Sequence, residues 1–375
     1  MVYFIITKTL DMKIIHVINS LEMGGAEKLL CESIPVYQKK NIKIDVLLLK
    51  SNATPLYKYL KNVLPNGLFS LTQGSVYNPL LIFKIIPYLK SYDVLHVHLF
   101  PSLYWVVLAK ILSFSKTPIV YTEHSTNNKR RNNPFFKIID RFIYSKLNRV
   151  ITIADEVDSE LKKHLQFRKN DFFTLIANGI AIEKFSEASS LDRQLFFEGE
   201  SKLLIQVSSF RYPKDQETLI KSLTLLPEFV KLLLVGDGPN KKACEEIAKN
   251  LGVDHRVLFL GIRTDVPQLL QTADIIVLSS KYEGLSLSSI EGMSVNKPFI
   301  ATDAPGLREI VKNFGLLFKQ GDSEALADHI LNLNKDKDYY DEIAGKCLVR
   351  AKEFDIQKMV DKYIEVYKKL LINAN

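Results

Sequence analysis

Two glutamates, Glu283 and Glu291, stand eight positions apart in the stretch EGLSLSSIE, with Gly284 behind the first and small or aliphatic residues between. The apolar run IIVLSS precedes them. If that run is a strand and a helix begins near Ser286, Glu283 sits at the turn and Glu291 two turns into the helix. A carboxylate in each place can accept hydrogen bonds from a sugar hydroxyl and from a ribose diol. The amides of Leu285, Ser286 and Leu287 would be helix-start donors suited to phosphate oxygens. Acids beside helices are usually solvated or capping, so the pair gains meaning only from this placement.

Other loops add compatible chemistry. In SSFRYPKDQETL (208–219), Arg211 and Lys214 precede a helical segment, where a guanidinium and an ammonium can reach a diphosphate. Gly24 and Gly25 in LEMGGAEKLL follow an apolar run and open a helix, a place where backbone can approach an anion closely. On its own that is only a tight turn. In YTEHS, Glu123 and His124 end another apolar run; such a histidine can bond a ligand hydroxyl, though in isolation it reads more readily as a satisfied structural residue. His96 and His98 alternate along VLHVHLF and share one face; without a third ligand they read as core or cleft residues and not as a metal site. Neither GGAE nor GDGPN (236–240) is a GxGxxG dinucleotide motif, which argues against a nicotinamide enzyme.

The elements that must hold these loops are legible as strand–helix alternation. KIIHVINS, IKIDVLLLK, YDVLHVHLF, TPIVYTEHS and RVITIA occupy the first half; KLLIQVSS, VKLLLVGDG, RVLFLG, ADIIVLSS and KPFIATDA occupy the second. Continuous apolar runs indicate parallel strands covered on both faces, so the fold class is α/β, built from βαβ units. A polar, aperiodic stretch at 184–202 separates the halves, and IQKMVDKYIEVYKKLL (356–371) has helical spacing. We therefore expect two Rossmann-like domains, 12–185 and 200–356, facing each other across a cleft. The final helix, 357–375, would close back on the first.

Composition agrees with a folded protein of two cores: 375 residues, 47% hydrophobic and 25% charged. Three cysteines without a CxxC pair indicate neither a disulfide framework nor a zinc site and fit a reducing compartment. No run approaches the roughly 18 apolar residues of a spanning helix. Either Met12 is the natural start or residues 1–11 are a loose extension. The net charge of +8 lies wholly in residues 1–200, with 26 Lys and Arg against 18 Asp and Glu, densest at 127–133 and 162–169. An anionic surface or ligand is one reading of this excess and a solvated face that aids solubility is the other; no nucleic-acid-binding signature accompanies it.

Taken in order, GGAE, NGI (178–180), GDGP, YEGLSLSSIEGM and PGLREIV resemble the retaining GT-B glycosyltransferases of family 4, the group 1 glycosyl transferases, over nearly the whole chain from Met12. The resemblance implies a nucleotide sugar bound mainly by the second domain and an acceptor by the first. It implies that Glu291 holds the ribose, that Glu283 meets the donor sugar, and that Gly284 and the amides of Leu285–Leu287 take the distal phosphate. Lys214 and Arg211 would neutralise the leaving diphosphate, with Gly24 and Gly25 approaching the phosphates. His124 would contact the sugar, and Ile262 and Arg263 would frame the base. His124, Glu283 and Lys214 are thus the catalytic candidates. The chain departs from the family where Ser208-Ser209-Phe210 replaces the usual Gly-Arg-Phe, and where Ala181 follows NGI in place of an aspartate.

The implied activity moves a sugar from a nucleotide diphosphate to a glycan or polyprenyl-linked acceptor, with retention and without a metal or other cofactor. A bacterial cell-surface polysaccharide is the expected product. The one Asp-x-Asp, Asp336 and Asp338, lies in a lysine-rich polar stretch and reads as a solvated turn. The expected location is cytoplasmic, peripheral at the inner face of the membrane through the basic first half. A sugar-nucleotide epimerase of similar form and a non-catalytic nucleotide-sugar binder are the alternatives.

Overall fold

The computed structural model describes residues 12–22, 24–124, 133–166, 172–283 and 286–373, except the side chains of Pro134 and Asn373. The expectations on residues 1–11, Gly284 and Leu285, and on 127–132 and 167–169 of the basic runs, lie outside the described residues. The chain forms two units, one running through Gly179 and resuming at Ile356, the other Ile180–Asp355.

In the first unit the described strands are β1 (Lys13–Ile18), β2 (Lys43–Lys50), β3 (Leu68–Thr72), β4 (Val94–His98), β5 (Ile119–Glu123), β6 (Arg149–Thr152) and β7 (Phe173–Leu175). They pair in parallel in the order β3-β2-β1-β4-β5-β6-β7. The second unit holds β8 (Lys202–Val207), β9 (Val230–Val235), β10 (Val257–Gly261), β11 (Ile275–Leu278), β12 (Phe299–Thr302) and β13 (Leu316–Phe318), again parallel, ordered β10-β9-β8-β11-β12-β13. Every residue of β4, β5, β11 and β12 is buried, as strands with helices on both faces must be.

In both sheets the strand order reverses at the first strand. β1 lies between β2 and β4, and β8 between β9 and β11. Connections after β1 and β4, and after β8 and β11, therefore leave on opposite faces and open a crevice at the carboxyl ends of those strands. The candidate loops of the second unit leave from β8 and β11.

The closing helix runs Ile356–Asn373 and belongs to the first unit, where it packs against the Gly25–Lys39 helix. The Tyr37 and Tyr367 hydroxyls meet there at 3.2 Å. Cys31, Cys244 and Cys347 are buried and unbridged. Among the described residues no helix is long and apolar enough to cross a membrane.

Candidate active site

In the second unit, β8 runs into Ser208–Asp215 and β11 into Ser279–Glu283. The two connections are stitched together. Asp215 N donates to Ser279 O at 3.1 Å, Lys281 N to Pro213 O at 2.9 Å, and Lys214 bridges Ser280. Beneath them the buried Gln206 of β8 accepts from Ser279 N at 3.1 Å, while its amide donates to Ser208 Oγ at 2.9 Å. Gln216 donates to the same hydroxyl at 3.0 Å and to Ser209 O at 3.1 Å. On this frame the Lys214 ammonium donates to the Glu283 carboxylate, and both side chains are 13% exposed. Glu283 N in turn donates to Pro305 O, in the connection after β12, at 3.0 Å.

The helix after this turn spans Leu287–Met293, with the buried Ser286 in the N-cap position. Glu291 is buried within it. A Cβ on Gly292 would come within 2.7 Å of Phe299 and 2.8 Å of Ile276, so the glycine lets this helix lie close to β11 and β12. The GDGPN stretch has a part that its sequence did not disclose. Gly236 (φ +131°) and Gly238 (φ +156°) sit where a side chain would run into the carbonyl oxygens of Ser208 and Phe210. Phe210 N donates to Asp237 O at 3.0 Å, and Asn240 N to Phe210 O at 2.9 Å. The glycines brace the loop that carries Lys214.

The remaining candidates of this unit are more dispersed. Arg211 is exposed, its carbonyl closing the turn to Lys214 N at 2.8 Å. Ile262, 77% exposed, and Arg263 follow the edge strand β10, two strands from β8. Arg263 is engaged by Asp265 through bonds of 2.8 and 2.6 Å. Asp336 caps the Lys337–Ala351 helix, accepting from Tyr339 N at 2.9 Å, so the Asp-x-Asp pair opens a helix where a turn was expected.

In the first unit, Gly24 is extended and Gly25 opens the Gly25–Lys39 helix. A Cβ on Gly25 would meet nothing within 4 Å, and one on Gly24 only the flexible end of Glu27. Among the described residues, packing demands neither glycine. Glu123 is buried and accepts from the Tyr144 hydroxyl at 3.0 Å.

His124 ends a chain of imidazoles that sequence reading recognised only in part. Its Nε2 lies 3.0 Å from His98 Nδ1, and His98 Nε2 lies 2.8 Å from His16 Nδ1. His96 is held separately, by Tyr367 OH at 2.5 Å on Nδ1 and Thr122 Oγ1 at 2.6 Å on Nε2. The third imidazole that the His96–His98 pair lacked is supplied by His16, which β1–β4 pairing sets beside His96. One nitrogen from each of His16, His96 and His98 lies within 4.8 Å of the others. Of their six ring nitrogens, however, only His16 Nε2 has no partner among the described residues. A cation would have to break existing bonds.

Burial pushes His16 down to about 3 and His124 to about 4. His96 and His98 are lowered well below the usual range, by burial first and neighbouring imidazoles second. The chain is therefore neutral near pH 7. It can exchange hydrogen bonds with a hydroxyl at His124 but offers no charge to a phosphate. In the second unit, Lys214 and Arg211 can.

Two parallel α/β units, each with a topological switch point, define a two-domain scaffold of the GT-B type. The structure of Anabaena HepE in complex with UDP superposes with a TM-score of 0.80 at 23% identity, covering 96% of this chain and 100% of that one. Residues 23–184 match the family model described as Glycosyltransferase Family 4, and residues 188–347 match that described as Glycosyl transferases group 1. The chain belongs to family 4 of the GT-B glycosyltransferases. It is similar to the N-acetyl-alpha-D-glucosaminyl L-malate synthase of Bacillus anthracis, 27% identical over 287 residues, 74% of this chain and 75% of that protein. It is also similar to the UDP-Gal:alpha-D-GlcNAc-diphosphoundecaprenol alpha-1,3-galactosyltransferase of Escherichia coli, 26% identical over 305 residues, 76% of this chain and 77% of that protein.

Proposed function

We propose that this glycosyltransferase moves a sugar, with retention and without a metal, from a nucleotide-diphosphate sugar to a glycan or lipid-linked oligosaccharide in bacterial cell-surface polysaccharide synthesis. The observation that carries the reading is the Lys214–Glu283 pair at the β8–β11 switch point, where α/β sheets take their ligands. The Escherichia coli relative's name specifies a diphosphoundecaprenol acceptor, which supports a lipid-linked glycan here.

In the reaction the bond from the anomeric carbon to the diphosphate oxygen breaks, and one forms to the acceptor oxygen on the same face of the sugar. The acceptor's proton passes to the departing phosphate oxygen. Negative charge grows on the diphosphate, and a preorganised cation there is typically the largest catalytic contribution. Lys214 supplies it, held by Glu283 until phosphate oxygens compete for the ammonium. Arg211, at the rim, adds a second cation. Glu291 accepts from the ribose hydroxyls, and the amides of Leu285 to Leu287, beside Gly284, take phosphate oxygens. Ile262 and Arg263 are assigned to the base. In the first unit His124 bonds a sugar hydroxyl as a neutral imidazole, and Gly24 and Gly25, unconstrained by packing, admit phosphate to the backbone.

The test is to incubate the protein with individual nucleotide sugars, with and without lipid-linked acceptors, and with a chelator throughout. Acceptor-dependent nucleotide release and an α-linked product from an α-linked donor are expected. Donor isomerised without acceptor would establish an epimerase. Loss of turnover on chelation, or inversion, would remove those parts of the proposal. Attachment to the inner face of the membrane through the basic first unit completes the reading.

A further inference from the structure

The Pro134–Ser145 helix of the first unit has two apolar faces. One, with Ile143 and Tyr144, is buried against the sheet. The other carries Phe135, Ile138 and Phe142, at 66%, 70% and 51% exposure. Their spacing of three and four residues puts them on one side of the helix. Single exposed apolar residues are ordinary on a soluble protein, whereas three large ones along one helix face mark an interaction surface.

The flanking charge says what kind. Lys146, the residue after the helix, borders this face, its Nζ 5.1 Å from the Phe142 ring centroid, and Arg141 stands one turn beyond Ile138. The chain's whole positive surplus lies in the half that contains this helix. An apolar stripe bordered by cations is the pattern of a helix lying in the interface of an anionic bilayer: rings enter the acyl boundary while the cations stay among the headgroups. In the same unit Phe114, after the Ser102–Leu112 helix, is 92% exposed.

We infer that Phe135, Ile138 and Phe142 insert into an anionic lipid surface, so that attachment is hydrophobic as well as electrostatic. The inference rests on the reading of a lipid-linked acceptor for its purpose, and its physical content is independent of that reading. Charge alone would let high salt release the protein entirely. Insertion leaves a salt-resistant part.

The experiment is sedimentation of the full chain with vesicles of phosphatidylcholine alone and of phosphatidylcholine mixed equally with phosphatidylglycerol, at low and molar salt. Binding to the mixed vesicles is expected, with a measurable fraction persisting in molar salt. Replacing Phe135, Ile138 and Phe142 together by serine should lower partitioning at least about tenfold at either salt. Lys146→Glu should weaken only the salt-sensitive part. The Phe142→Trp variant should show a blue shift and quenching by brominated lipid, which reports the ring's depth directly in a folded protein. Equal partitioning of the triple-serine variant, or an unshifted tryptophan on the mixed vesicles, overturns the inference. So does a dimer without vesicles that the serines abolish, which would assign the stripe to a second copy. None of these readouts involves nucleotide sugar, so their failure leaves the proposed transfer standing.

Discussion

Lys214 and Glu291 sit in one unit but are asked to do separable things. Lys214 meets charge that develops as the diphosphate leaves, so Lys214→Ala should cost turnover about 100-fold or more while nucleotide affinity changes less. Glu291 would bond the nucleotide in ground and transition states alike. Glu291→Ala should therefore weaken binding by roughly tenfold or more, seen by calorimetric titration with the nucleotide, and leave kcat nearer normal. Because Lys214 and Glu283 bond each other, their alanine variants should be non-additive in a double-mutant cycle. Residue types, motif order and the resemblance they carry nominated Lys214, Glu283, Glu291 and His124 as candidates. They were not enough to find Gln206 and Gln216, which hold the loops those residues stand on. A polar residue inside the apolar run KLLIQV was the available signal for Gln206, since a buried amide must find partners.

At the scale of elements, the expected strands were those with continuous apolar runs, and the structure has them. The ones left unread, β3, β7 and β13, lie at sheet edges and are three to five residues long. An edge strand is covered incompletely and needs no unbroken apolar run, so its pattern is weak. The GDGPN turn has the sequence of any tight turn, and its task depends on what lies opposite. Gly236→Ala would force a side chain into the Ser208 carbonyl at φ +131°. A cost of roughly 1–3 kcal/mol is expected, lowering the thermal midpoint of the second unit. Hydrogen exchange should quicken across 208–215 while the first unit is unchanged. Unaltered exchange in that loop would remove the bracing role.

At the scale of the whole molecule, the two units carry different acid sensitivity. The imidazoles of His16, His96, His98 and His124 all lie in the first unit and have folded-state pKa values below their ordinary 6.5. Below about pH 6.5 the unfolded chain takes up protons that the folded unit refuses. Stability is therefore complete above that pH and falls as pH drops toward 4, by up to about 1.4 kcal/mol per histidine per unit. Acid titration followed by hydrogen exchange should open the first unit before the second, and His16→Leu should move that transition to lower pH. Simultaneous opening of both units would contradict the assignment. What the chain determined by itself was its local and periodic content: two runs of βαβ units, the turns between them, the closing helix and the ordered motifs that mark the family. Those properties depend on neighbours in sequence. The tertiary structure alone decided that Lys214 meets Glu283 across a sequence separation of 69 residues. It alone set His16 beside His96 and turned the apolar stripe of one helix outward. Each depends on strand order and register, which bring distant segments together and which no local pattern encodes.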